Sequence, residues 1–243
     1  MNRKDFEIEI CAGNIESVFA ADLGGADRVE LCENLFEGGT TPSYGSIKLS
    51  KEKCGLDVFV IIRSRGGDFV FSEIEFEVMH KDVQSVVEIG ADGIVIGCLK
   101  QDGTVDYEKC SRLTEAAKGL PVNFHRAFDV TPDPFEALDT IKSLGINRIL
   151  TSGQKNRAED GIKLIRELQE KAGANLRIMP GSGINESNIQ NIALSTGVNS
   201  FHASLREDVE TKTHYTRKDV SENRYKVTSA SRVKALIKKM QEL

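Results

Sequence analysis

The chain has 243 residues, 40% of them hydrophobic and 28% charged, with a formal net charge of -5. That length allows one large domain or two small ones, and without a basic surplus to neutralise phosphates a general nucleic-acid binder is excluded. Five cysteines (11, 32, 54, 98 and 110), none in a CxxC pair, argue against a disulfide framework and for a reducing, cytoplasmic setting, and no apolar run reaches the length of a membrane span.

In chain order, apolar runs of strand length alternate with longer amphipathic stretches. Residues 6–12 read as a first strand, and Asn14 caps a helix that ends at Gly24-Gly25. Residues 28–33 form the second strand, in which Val29 and Leu31 face one way and Glu30 and Cys32 the other. A helix over 43–53, a strand over 57–63, a polar loop over 64–72 and a long helix over 74–89 follow. Five further strands are predicted at 93–99, 121–128, 148–152, 175–181 and 200–205. Helices at 106–118, 134–144, 157–172 and 186–195 fall between them, and one over 229–240 closes the chain. The polar stretch 206–228 is expected to be a lid or a subunit contact.

A pattern recurs on every other unit. Gly25-Ala26-Asp27, Gly90-Ala91-Asp92, Gly145-Ile146-Asn147 and Gly197-Val198-Asn199 each precede an even-numbered strand. Each joins a helix-ending glycine to a turn-forming Asp or Asn. Four such quarter-units that close on themselves, built from alternating strands and helices, predict parallel strands and a single (β/α)8 TIM barrel over 1–243. An open dinucleotide-binding sheet would place GxGxxG after the first strand. Cys11-Ala12-Gly13-Asn14 is not that motif, so no nucleotide cofactor is expected.

In a barrel, alternate strand residues face the axis and ligands bind at the C-terminal mouth. The less uniformly apolar set is then inward: Glu7, Glu9 and Cys11; Arg28, Glu30 and Cys32; Ile61 and Arg63; Val95 and Gly97; Asn123 and His125; Leu150 and Ser152; Met179 and Gly181; His202 and Ser204. A slip of one residue on the fifth strand would exchange His125 for Arg126. Small residues near the mouth (Cys32, Gly97, Ser152, Gly181, Ser204) leave room for a cavity. The wall beneath carries Glu9, Glu30, Arg63, His125 and His202, and such charges must neutralise one another or serve a ligand.

The segments ADRVELCENLFEGGTTPSYG, RSRGGDF, ADGIVIGCL, NFHRAFDVTPDPFEAL, RILTSG, IMPGSGI and FHASL together resemble the CutC family of copper homeostasis proteins, in that family's order from about residue 7 to 205. The resemblance implies a TIM barrel, a cytoplasmic location, Cu(I) binding and a homo-oligomer, with a dimer favoured. It places two proposed copper ligands on Cys11 and Cys32. Ser64 stands where the family's RPRGGDF has proline, and 206–228 lacks the family's tail pattern.

Each candidate has a plain alternative. Cys11 and Cys32 end adjacent strands about 4.8 Å apart, a separation that thiolates can bridge around a linear Cu(I); buried cysteines also simply fill small holes. Met179 is a candidate soft third ligand or a packing residue. His125, Glu9 and Glu30 are candidate acid–base groups, with both glutamates equally readable as partners of Arg28 and Arg63. Arg126 and Asp129 are either ligand contacts or an ion pair bracing a loop. Gly181-Ser182-Gly183 and Ser152 sit where barrel loops bind phosphate through backbone N–H groups, although a tight turn also needs glycine. His202 and Ser204 complete the set. Two functions follow: copper binding at the thiol pair, or an enzyme acting on a small anionic metabolite, phosphorylated or not, held by Arg63 and the GSG loop.

Overall fold

The computed structural model describes residues 1–210, 212–215, 217, 219 and 224–243. Strands and helices alternate as β1 (Glu7–Ala12), α1 (Ile15–Gly24), β2 (Arg28–Leu31), α2 (Tyr44–Lys53), β3 (Asp57–Ile61), α3 (Glu73–Ile89), β4 (Gly93–Ile96), α4 (Tyr107–Ala116), β5 (Val122–Phe124), α5 (Pro134–Ser143), β6 (Arg148–Thr151), α6 (Ile162–Ala172), β7 (Arg177–Pro180), α7 (Ile189–Thr196), β8 (Ser200–Ala203) and α8 (Ala230–Gln241). The eight strands form one parallel sheet in the order β7-β6-β5-β4-β3-β2-β1-β8. β7 and β8 lie side by side without a ladder: a Cβ on Gly181, just past β7, would sit 3.3 Å from the Cβ of His202 on β8. The result is a nearly closed (β/α)8 barrel.

The recurring turn explains the strand spacing. Gly25, Gly90, Gly145 and Gly197 all have φ between 71° and 83°, the left-handed conformation that ends a helix. Two residues on, the Asp27 carboxylate accepts from the Ile8 amide at 2.6 Å, Asp92 from Val58 at 2.7 Å and Asn147 from Val122 at 3.0 Å. Each turn residue therefore fixes the start of the preceding odd strand. Asn199 makes no such side-chain bond to β7 among the described residues, and β7–β8 is where the ladder is missing.

Outward strand residues pack under the helices. Ile8, Ile10, Val29, Leu31, Val58, Val60, Ile94 and Ile96 are all fully buried there. On α3 the buried set is Phe76, Met79, Val83 and Val86, one stripe at helical spacing. Burying each such side chain stabilises the fold by about 1.5–3 kcal/mol. The inward set leaves Ile61, Val95, Leu150 and Met179 outside the core beneath the helices, and with them the buried Glu9, Arg28, Glu30, Asn123, Arg148 and His202 lie toward the axis.

Three regions differ from expectation. The helix expected over 157–172 begins only at Ile162, after a 3-10 turn over Ala158–Asp160. β5 stops at Phe124 because Nδ1 of His125 accepts from the Ala127 amide at 3.2 Å and starts a 3-10 turn over Arg126–Val130. The stretch after β8 forms an antiparallel hairpin of β9 (Arg206–Glu210) and β10 (Arg224–Thr228). It is tied to the β1–α1 corner, where the Thr228 amide donates to Ser17 Oγ at 3.0 Å and Asn14 Nδ2 donates to the Lys226 carbonyl at 2.9 Å. The expected lid or subunit contact over 206–228 falls partly on 211, 216, 218 and 220–223, outside the described residues.

Candidate functional site

The axis is built in layers by strand register. At the floor, the first residues of β1, β6 and β7 meet: Glu7 accepts from Arg148 at 2.5 and 3.1 Å and from Arg177 at 3.0 Å, and Arg28 lies 3.2 Å away. The next layer puts Glu9 opposite Arg28 on one side and His202 on the other, through the pairing of β1 with β2 and β8. Arg28 Nε and His202 Nδ1 each donate to Glu9 at 2.6 Å. The sulfur of Met179 lies 3.6 Å from Arg148 and 3.9 Å from Arg28, so it packs against guanidinium groups at this depth, away from the thiols.

Titration follows from these contacts. Burial alone would raise Glu9, but the Arg28 charge and the His202 hydrogen bond outweigh it and hold Glu9 below its ordinary value. Burial would likewise depress His202; hydrogen bonds with Cys11 and Glu9, together with the Glu30 charge, reverse this and hold the imidazole well above its usual range. Glu30, 3.7 Å from His202 Nε2, is pushed up by burial and by Glu9, against the pull of His202.

Above that layer, Cys11 of β1 pairs in register with Glu30 of β2, and Cys32 follows one residue after β2. The two sulfurs are 3.7 Å apart and Cys32 also donates to the Ala12 carbonyl at 3.5 Å. One ligand atom each from Cys11, Glu30 and Cys32 lies within 4.8 Å of the others, and all three residues are buried. The hydrogen bond to Cys32 and burial raise the Cys11 thiol well above an ordinary cysteine.

The mouth opens into a hollow of about 330 Å3, within the range of small-molecule sites. Cys11, Glu30, Arg63, His125, Arg126, Ser182, Gly183, His202 and Ser204 line it. Glu9, Cys32, Asp129, Ser152 and Gly181 do not. Arg63 leaves β3 and clasps two loops: Nη1 donates to the carbonyls of Glu37 and Gly39 at 3.0 Å each, and Nη2 to that of Gly67 at 2.6 Å. His125 can tuck inward because Gly97 has no side chain; a Cβ there would lie 2.3 Å from the imidazole. With Nδ1 accepting the Ala127 N–H, its proton sits on Nε2. Burial and then the Arg63 charge push His125 down to about 3, so the ring is neutral and acts as a donor.

Asp129 is taken up by its own loop. It accepts from Arg126 at 2.8 Å, from the Thr151 hydroxyl at 2.5 Å, and from the Ser152 amide and hydroxyl, both at 2.9 Å to Oδ2. That is the bracing arrangement, and it leaves Arg126 on the rim of the hollow. Leu35, Phe69, Ile184 and Arg206 were not singled out by sequence reasoning, yet they line the site. The Phe69 ring centroid lies 4.8 Å from the Arg63 guanidinium and 5.0 Å from the His125 ring. An aromatic directly after Arg65-Gly66-Gly67-Asp68 was the one available signal for it.

With this geometry established, comparison with known proteins places it. The CutC family model matches residues 6–207. A CutC family protein of Bacteroides fragilis (strain YCH46) is 46% identical over 243 residues, covering 96% of this chain and 97% of the relative. The "Copper homeostasis protein cutC homolog" of Homo sapiens is 43% identical over 239 residues, covering 95% and 88%. A solved CutC structure from Streptococcus agalactiae aligns with a TM-score of 0.79 at 39% identity, over 82% of this chain and 98% of that one. N-(5'-phosphoribosyl)anthranilate isomerase from Pyrococcus furiosus aligns with a TM-score of 0.60 at 12% identity over 98% and 100% of the two chains, a likeness of fold alone.

Proposed function

The chain belongs to the CutC family, and from that premise we propose that it serves copper homeostasis by binding Cu(I) through Cys11 and Cys32, with Glu30 as a third donor. The observation that carries this reading is the buried sulfur pair at 3.7 Å beside a carboxylate. Thiolates suit a soft monovalent ion better than any other side chain present. At metal–sulfur bonds of about 2.3 Å, a linear bridge needs sulfurs roughly 4.6 Å apart. The present spacing therefore favours a bent site completed by Glu30, or thiols that open by about 1 Å on binding. Two further features support a metal that arrives through the mouth: Cys11 lines the hollow, and the Cys32 sulfur lies 3.7 Å from that of Cys11; all five cysteines are free thiols, as a reducing compartment requires.

Both thiols must lose their protons to bind the metal. Because Cys11 is held protonated at neutral pH, binding releases protons and the apparent affinity rises with pH, up to about tenfold per unit for each proton released. Anaerobic Cu(I) titration against a competing chelator tests the assignment. One equivalent should bind to the wild type and be lost in Cys11→Ser and Cys32→Ser, while Glu30→Gln weakens it more mildly. Binding of equal strength in the Cys11→Ala/Cys32→Ala double variant sinks the reading.

A further inference from the structure

The copper reading uses the thiol side of the hollow and leaves the opposite wall unexplained. Inside the barrel, Arg28 and Arg148 each meet a carboxylate. Arg63 is only 3% exposed and meets none among the described residues. Its guanidinium donates to the carbonyls of Glu37, Gly39 and Gly67 and lies 4.8 Å from the Phe69 ring, while the Glu37 and Asp68 carboxylates act on it only from beyond ion-pair distance. Its Nε has no hydrogen-bond partner among the described residues, a feature shared by Arg148, so the missing counter-charge is what sets Arg63 apart. A buried charge without a counter-charge costs several kcal/mol, and clasping two loops needs no charge.

His125 repeats the pattern. It is also 3% exposed, its Nδ1 is occupied by the Ala127 amide, and its Nε2–H has no acceptor among the described residues. Across the hollow, the Ser182 and Gly183 amides find no acceptor among the described residues. Among the described residues Glu30 is the one carboxylate on the lining, and it lies 3.7 Å from His202. Donors and positive charge therefore converge from β3, β5 and the loop after β7 on a space that the protein does not supply with an acceptor.

We propose that this wall binds the head group of a small organic oxoanion, a carboxylate or a phosphate, which accepts from Arg63 and from His125 Nε2–H. The rest of the ligand lies over the apolar lining made by Ile61, Phe69, Leu150 and Ile184. The Gly38-Gly39 dipeptide separates the two halves of the site: a Cβ on Gly38 would lie 2.9 Å from Arg63 Nη1, and one on Gly39 3.7 Å from Cys32 Sγ. An anion held at Arg63 thus sits one dipeptide away from the thiol pair, in the same hollow. This inference goes beyond copper binding and does not depend on it.

The test uses metal-free full-length protein, so failure of the copper site and failure of the anion site are separable. Inorganic phosphate, glycerol 3-phosphate and malate are titrated by calorimetry, and the imidazole nitrogens of 15N-histidine-labelled protein, which has four histidines, are followed in parallel. At least one anion should saturate at one equivalent and shift the His125 Nε2 resonance. Arg63→Lys and His125→Asn should each weaken it by about tenfold or more, the loss expected for one charge-assisted hydrogen bond. Response to the two phosphates alone assigns a phosphoryl head group; response to malate alone assigns a carboxylate. The His125 resonance in the unmutated protein serves as a readout even if Arg63→Lys fails to fold. No shift of that resonance with any of the three up to about 10 mM, or binding indifferent to both variants, overturns the proposal.

Discussion

At the floor of the barrel, Arg28 and Arg148 meet Glu7 and Glu9 at 2.5 to 3.2 Å, and every charge there has an opposite beside it. At the mouth, Arg63 is as deeply buried, yet among the described residues its guanidinium hydrogen-bonds only to backbone carbonyls, beside an aromatic face, and forms no ion pair. The same residue type thus does two jobs in one cylinder. The floor neutralises itself and ties β1, β2, β6 and β7 together, whereas the mouth keeps donors and thiols uncompensated. Scaffold and site are told apart not by polarity, which both ends share, nor by orphaned N–H groups, since Arg148 Nε at the floor lacks a partner too, but by whether each buried charge has an opposite charge in contact.

The largest expected effect breaks the floor. Arg28→Met strips Glu9 of its guanidinium and should cost about 3–5 kcal/mol in urea unfolding. Arg63→Met removes a charge that has no ion-pair partner and loses bonds to carbonyls only, so its cost should be nearer 1–2 kcal/mol. Equal losses in the two variants would erase the distinction drawn between the two ends.

A second test uses pH. His125 titrates at about 3 in the folded protein and near 6.5 when unfolded. Between those values the unfolded chain binds a proton that the folded one refuses, so stability is full above about pH 6.5 and falls as pH drops toward 3. By pH 4 the loss from this group is about 3 kcal/mol. His202, held above its usual range, acts with the opposite sign: its contribution is full below about pH 6.5 and fades as pH rises through its raised value. His125→Asn should flatten the acid limb of the stability profile, and a profile unchanged by that variant would mean the ring is not held neutral.

The smallest effect sharpens the mouth itself. Gly97→Ala places a methyl 2.3 Å from His125 Cε1 and 2.5 Å from Nδ1, against a ring backed by Phe69. Thermal unfolding should report about 1–3 kcal/mol of overpacking, together with a displaced His125 resonance. An unperturbed resonance would show that the imidazole is not seated against that glycine.

Much of this was readable beforehand, for identifiable reasons. Period-2 alternation separated Ile8 and Ile10 from Glu9 and Cys11, and the recurring Gly-x-Asp/Asn turn revealed the fourfold arrangement that a barrel requires. The thiol pair was legible because β1 and β2 are consecutive and therefore adjacent, which brings Cys11 and Cys32 together without further information. Less of the mouth could be read. Phe69, Leu35 and Arg206 reach it from loops and from a hairpin, where no periodicity assigns a direction. Ser152 matched the inward pattern, yet it is covered by the Asp129 network, whose partners are spread from Arg126 to Gln154. The space expected over Gly97 is filled by His125, and that over Gly181 by Leu150, where a Cβ would lie 2.5 Å from Leu150 Cδ1.

The sequence by itself determined the barrel, the strand faces and the meeting of the two cysteines, because each follows from local spacing and from neighbours in chain order. Which charges are answered was settled by packing across the axis. Whether Arg28 finds Glu9 and Arg63 finds no carboxylate depends on side chains that converge across the axis from distant strands and loops, and hydrogen-bond satisfaction is a property of that convergence, not of any one segment.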